Sequence, residues 1–136
     1  MHIYRREGPR IGVEVVCWEL FDNHEETSLA VDISAQGLCI ERPYVGGPTR
    51  RRVPLQIELP DIDEVMWARG DACFDTLLPT RSPRGGALGL VRRTGYRITA
   101  AATRDLRILR ELVMERYKTE LGAQIDQAIA SCCTFD

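Results

Sequence analysis

Histidine is nearly missing from this chain of 136 residues: His2 and His24 are the whole supply. No Ser-His-Asp, Cys-His or His-x-x-Glu arrangement can be assembled from them, which disfavours an enzyme. Asp61, Asp63 and Glu64 stand close together but lack the remaining ligand spacing of a calcium loop, so they read as a solvated turn. Asp71 and Asp75 carry no partner signal. No apolar stretch approaches the ~20 residues of a membrane-spanning helix. The opening Met-His-Ile-Tyr-Arg-Arg-Glu has no apolar signal-peptide core, so a cytoplasmic location is expected. The cysteines number 5 and form no Cys-x-x-Cys, which argues against both a disulfide framework and a zinc knuckle. Cys17, Cys39 and Cys73 lie in apolar runs and read as small buried hydrophobes, while Cys132 and Cys133 read as incidental. A basic excess is also missing: the net charge is -2, and the strands show no clustered aromatics, which tells against a general nucleic-acid binder.

What is present is alternation. Ile11, Val13 and Val15 alternate with Gly12 and Glu14, predicting a strand over 11–20. A polar turn at Asp22-Asn23-His24-Glu25 leads into a returning strand over 27–33 with Leu29, Val31 and Ile33 on one face. A tight turn at 34–37 precedes a short strand over 38–40, stopped by Pro43. Residues 43–52 read as a loop. Val53, Leu55, Ile57 and Leu59 mark another strand, with Pro54 at its start or edge. Further strands are predicted over 65–74, with a bulge at Gly70, and over 87–91, with 96–99 extending the sheet. Residues 77–86 read as a loop. From Thr103 the period changes: Leu106, Leu109, Val113, Tyr117, Leu121 and Ile125 recur at helical spacing, predicting an amphipathic helix to about Ile129. A mainly β chain closed by one helix indicates a small antiparallel barrel with a C-terminal α-helix. The expected organisation is a mobile N-terminal tail over 1–10, a barrel over 11–102 and a helix over 103–131.

Positive charge gathers locally, at Arg5, Arg6 and Arg10 and again at Arg50, Arg51 and Arg52. Local clusters bind anions whatever the total charge, although such a run also suits a solvated loop. Guanidinium is planar, permanently charged and matched to phosphate oxygens or to the O6 and N7 edge of guanine. Arg6 and Arg10, four apart, suit such a ligand, as well as a plain basic tail. The segment Asp32-Ile33-Ser34-Ala35-Gln36-Gly37 is more specific. Period-two geometry puts Asp32 and Ser34 on one side of a strand end. The carboxylate can accept from the N1 and N2 donors of guanine, the hydroxyl adds a donor or acceptor, and Gly37 permits a positive φ and a close approach to a ring. The same residues suit an Asx or Ser turn that only stabilises the hairpin.

Taken together, the order Arg-Arg-x-x-x-Arg, strand pair, Asp-x-Ser-x-x-Gly, further strands and terminal helix resembles the PilZ family of cyclic di-GMP receptors, from about Arg5 to the start of the helix. Gly86-Ala87-Leu88-Gly89-Leu90 is similar to a late strand of that family. The resemblance implies a six-stranded antiparallel PilZ-like barrel with a helix over one opening. It also implies a non-enzymatic receptor that needs no cofactor, with cyclic di-GMP held by Arg6, Arg10, Asp32, Ser34 and Gly37. An arginine at Arg5, just before the pair, resembles receptors that take up an intercalated dimer of the ligand. Signalling would follow from ordering of the arginine segment. The alternative is a PilZ-like interaction adaptor that leaves the nucleotide site unused. The helix is longer than a barrel lid requires, and the stripe from Tyr117 to Ile129 suits packing within the chain, a protein partner or a homodimer.

Overall fold

The structure is a computed structural model, and it describes residues 8–48, 50–60, 62–81 and 88–132. Arg5, Arg6, Gly86, Ala87 and Cys133 lie outside the described residues. Six strands form in chain order: β1 (Arg10–Phe21), β2 (His24–Ser34), β3 (Gly37–Pro43), β4 (Arg52–Glu58), β5 (Val65–Arg81) and β6 (Leu88–Ala101). One helix follows, α1 (Thr103–Cys132). The strands close into an antiparallel barrel in the order β1-β2-β3-β6-β5-β4, with β4 returning to pair with β1. Closure leaves no exposed sheet edge around the ring.

The local reasons are legible residue by residue. Asp22 and Asn23 both take positive φ, at 47° and 64°, as a two-residue hairpin turn demands and as Asp and Asn tolerate. This tightens the polar turn to two residues and lets β2 begin at His24. In β4, Val53, Leu55 and Ile57 point into the barrel, and Pro54 falls just beyond the last residue paired with β1, where a missing N–H costs nothing on that side. The inward set also includes Ile11, Val13, Cys17, Ala30, Ile33, Leu38, Ile40 and Met66. Burial pushes the Cys17 thiol up to about 12, so it stays a neutral small side chain.

Three sequence expectations change. Leu29, Val31 and Ile33 do not share a face: a register shift between Ala30 and Asp32 flips the parity of β2, so Ser28 and Ala30 point inward before it and Ile33 after it. The separate strands predicted over 65–74, 87–91 and 96–99 are two long ones, and of the predicted loop over 77–86, residues 77–81 are strand while 82–86 lie outside the described residues. Beyond Asp71, β5 has left β4 and pairs with β6 alone, so Pro79 meets no ladder on its other side. Cys73 is exposed, because the inward parity of β5 is set by Met66, Ala68 and Gly70 and leaves odd positions outside. The register irregularity at Gly70 falls where the sequence placed a bulge.

The barrel has two different ends. At one, the turn from β2 to β3 sits beside the start of β1, and the chain leaves β6 for α1. There Leu109 and Val113 join the barrel core, Leu106 packs against it, and Arg104 pairs with Glu64 at 2.6 Å. At the other end, the interior turns polar. Glu19 is fully buried and accepts hydrogen bonds from Arg42 at 2.7 Å and from the Tyr96 hydroxyl at 2.8 Å. Arg50 lies 3.6 Å from the same carboxylate, pairs with Glu26 at 2.6 Å and stacks on Phe21 at 4.1 Å. Thus Arg50 is not part of a solvated basic loop: it is structural, while Arg51 and Arg52 are exposed.

Candidate functional site

The motif residues meet where β1 begins. Arg10 pairs with Ser34 and Gly12 with Asp32 across the β1–β2 ladder. The Arg10 Nη1 donates to Asp32 Oδ1 at 3.2 Å, with the two side chains 13% and 32% exposed. The arginine therefore belongs to the rigid sheet rather than to the tail in which the sequence placed it. Strand pairing fixes its backbone, and Asp32 orients its head.

Ser34 differs from its expected orientation. It is 1% exposed, and its hydroxyl faces its own turn. It accepts from the backbone N–H of Gln36 at 3.2 Å and of Gly37 at 3.1 Å, and donates to the Gly37 carbonyl at 3.3 Å. The carbonyl of Gln36 in turn accepts from the Ile98 N–H at 2.7 Å, which ties the turn to β6. Asp32 faces outward while Ser34 faces in, so their period-two relation is not a shared surface. The Ser-turn reading describes what this hydroxyl does here.

Gly37 is explained by a contact rather than by a left-handed φ. A Cβ on it would stand 2.3 Å from the Tyr96 carbonyl oxygen, closer than real Cβ atoms come. Among the described residues, the glycines with positive φ are Gly8, Gly46 and Gly47. The absent side chain lets β3 lie against β6 at the turn.

Around Asp32 the outward-facing row alternates small residues with covered ones. The paired positions run Gly12, Asp32, Cys39, Gly95 across β1, β2, β3 and β6. A Cβ on Gly12 would meet nothing within 4 Å, and the Phe74 ring lies over Gly95. Cys39 is buried in this row, and burial pushes its thiol up. Two pairs along, Glu41 and Arg93 face each other, with Arg93 Nε donating to Glu41 Oε2 at 2.8 Å. That hydrogen bond holds Arg93 even more firmly protonated. Gly12, Gly95, Glu41 and Arg93 were not singled out as site residues by sequence reasoning, and Cys39 was read there only as a small buried hydrophobe. Their relevance depends on cross-strand register, although a glycine inside an otherwise apolar alternation, as at Gly12, is a readable signal.

The arrangement offers a guanidinium and a carboxylate in a rigid, partly exposed pair, with a second ion pair nearby. That suits a planar heterocycle bearing donors and a phosphate. Among the described residues, no group of three or more His, Cys, Asp or Glu side chains can hold a metal ion, and no helix is long and apolar enough to cross a membrane.

No protein-family model and no curated protein matches the sequence. Solved structures do match in fold. The Bacillus subtilis inhibitor of motility (MotI/DgrA) superposes with a TM-score of 0.65 at 17% identity, over 86% of this chain. The chain spans 53% of that protein, about half its length. The PilZ domain of YcgR from Escherichia coli, solved with cyclic di-GMP, gives a TM-score of 0.67 at 15% identity and covers 88% of this chain and 98% of that domain. The closed six-stranded antiparallel barrel, the capping helix and these superpositions together show that the chain has the fold of a PilZ domain.

Proposed function

We propose that this chain is a non-enzymatic receptor for cyclic di-GMP. The observation that carries the reading is the Arg10–Asp32 pair, held beside the Ser34–Gly37 turn on a PilZ-like barrel. The solved PilZ domain of YcgR, which carries cyclic di-GMP, supports the choice of ligand. Arg10 engages a phosphate or the guanine O6 and N7 edge, and Asp32 accepts from the guanine N1 and N2 donors. Ser34 and Gly37 act by holding the turn that positions Asp32. Arg6 joins Arg10 on the ligand, and Arg5 engages a second ligand molecule of an intercalated pair. Ligand-induced ordering of the arginine segment over the barrel transmits the signal, in the cytoplasm.

Calorimetric titration with cyclic di-GMP tests this. The wild type binds, and Arg10→Ala weakens binding by about 10- to 100-fold, the range of a charge-assisted hydrogen bond. Its melting temperature stays close to the wild-type value. A stoichiometry of two ligands per chain in the wild type, reduced to one by Arg5→Ala, supports the role given to Arg5. Unchanged affinity in Arg10→Ala would remove the assignment. No binding by the wild type at high micromolar ligand would favour the second reading, a PilZ-like adaptor that binds protein rather than nucleotide. The observation favouring that reading is the helix, whose second half extends past the barrel with an apolar stripe exposed.

A further inference from the structure

Arg97 stands on β6 against the Ser34–Gly37 turn. It is the ladder partner of Gly37 on one side and of Asp71 on the other. Its neighbour Tyr96 is in the barrel core, so by the two-residue period Arg97 faces the outer surface, where it is exposed. The row that contains it runs Arg10, Ser34, Gly37, Arg97 across β1, β2, β3 and β6. Two arginines therefore bracket the motif turn, one from each side.

The placement is tight. The Ile98 N–H donates to the Gln36 carbonyl at 2.7 Å, which pins β6 to the turn one residue from Arg97. A Cβ added to Gly37 would stand 3.4 Å from the Arg97 Cα, so the missing side chain lets the turn come up against this residue. The two arginines are held differently. Arg10 is 13% exposed and meets Asp32 at 3.2 Å. Arg97 makes no ion pair with any of the described residues, and its ladder partner Asp71 leans on Arg52 instead, at 3.8 Å. Exposure alone marks nothing, since Arg51, Arg69 and Arg107 are exposed as well. What separates Arg97 from them is its seat beside the turn. Three strand spacings, roughly 14 Å around the barrel wall, lie between Arg10 and Arg97. A cyclic dinucleotide carries two phosphates on opposite sides of its ring, and one guanidinium cannot serve both.

We propose that Arg97 is a further phosphate-binding residue of the nucleotide site, reaching the ligand from the β6 side while Arg10 and Asp32 hold it from the β1–β2 side. The inference rests on the cyclic di-GMP reading above. Calorimetric titration of the full chain with cyclic di-GMP tests it. Arg97→Ala weakens binding by about tenfold, the size of one charge-assisted contact. Its melting temperature matches the wild type, because the side chain is exposed and outside the ion pairs. Arg97→Lys keeps the point charge that suits a phosphate and loses the planar fork that a guanine edge requires, so it retains most of the affinity. Arg69→Ala removes an exposed arginine from β5, leaves affinity unchanged and controls for net charge. If Arg10→Ala weakens binding and Arg97→Ala does not, the proposal falls while the receptor reading stands. Equal losses in Arg97→Ala and Arg69→Ala also overturn it, since overall charge would then account for both. An Arg97→Lys protein as weak as Arg97→Ala overturns the phosphate role. A wild type that does not bind overturns this inference together with the reading beneath it.

Discussion

Arginine meets carboxylate at both ends of the barrel, with opposite consequences. On the outer face, Arg10 and Asp32 meet at 3.2 Å, and the Asp32 carboxylate keeps 32% of its surface in solvent while Arg10 is mostly covered. Inside the far end, Glu19 is wholly enclosed and is shared by Arg42, Arg50 and Tyr96. A carboxylate that keeps part of its surface in water has an alternative partner, so its pair is worth less to stability and can be exchanged for a ligand. An enclosed carboxylate has no water to fall back on, so its partners are structural requirements. The comparison shows that residue type alone does not mark a binding site. The Arg50 cluster is as arginine-rich in sequence as the N-terminal one, yet it serves to close the barrel.

The sharpest way to break this comparison is to remove a member from each side. Glu19→Ala leaves Arg42 and the Tyr96 hydroxyl facing one another without a carboxylate, and is expected to cost about 3–5 kcal/mol in chemical denaturation. Arg10→Ala should do the reverse, losing ligand while keeping its denaturation midpoint. If Glu19→Ala were as stable as the wild type, the inner network would be no more structural than the outer pair. Next in size, Gly37→Ala forces a Cβ against the Tyr96 carbonyl and is expected to destabilise by about 1–3 kcal/mol. Ser34→Ala strips the turn of its hydroxyl and is expected to cost a similar ~1–3 kcal/mol. Both should weaken cyclic di-GMP binding as well, since both loosen the turn next to Asp32. A Ser34→Ala protein with full stability but no binding would instead put the hydroxyl on the ligand.

The smallest effect concerns pH. The hydrogen bond from Arg50 holds the Glu26 carboxyl below the usual carboxylate range. A carboxyl depressed in the folded state contributes stability that is full at neutral pH and fades as pH falls through its folded value. Melting temperatures measured downward from pH about 7 should therefore fall less steeply in Glu26→Gln than in the wild type on the acid side. Parallel curves for the two proteins would show that this rim pair contributes nothing measurable.

Much of this could be read from residues in order. The strict alternation of Val53, Leu55 and Ile57 gave β4, and the change to helical spacing at Thr103 gave α1, because one face of each element is buried and burial imposes a period. Asp22-Asn23 marked a hairpin through chemistry local to two residues. Other features were not legible, for physical reasons that are equally specific. The parity flip in β2 comes from a register shift against β3, which depends on a partner strand and not on β2 itself. Cys73 faces outward because β5 takes its inward set from Met66 and Ala68. Ser34 turned inward because three backbone partners in its own turn outcompete a position on the surface.

The sequence by itself determined the element types, the barrel-plus-helix class and the motif residues, since periodicity, turn chemistry and residue identity are local properties. Only the tertiary structure decided which carboxylate keeps contact with solvent and which is enclosed, and that Gly37 answers to the Tyr96 carbonyl. Those depend on distances between residues far apart in the chain, such as the 2.8 Å from Tyr96 to Glu19, which pairing and closure of the barrel set.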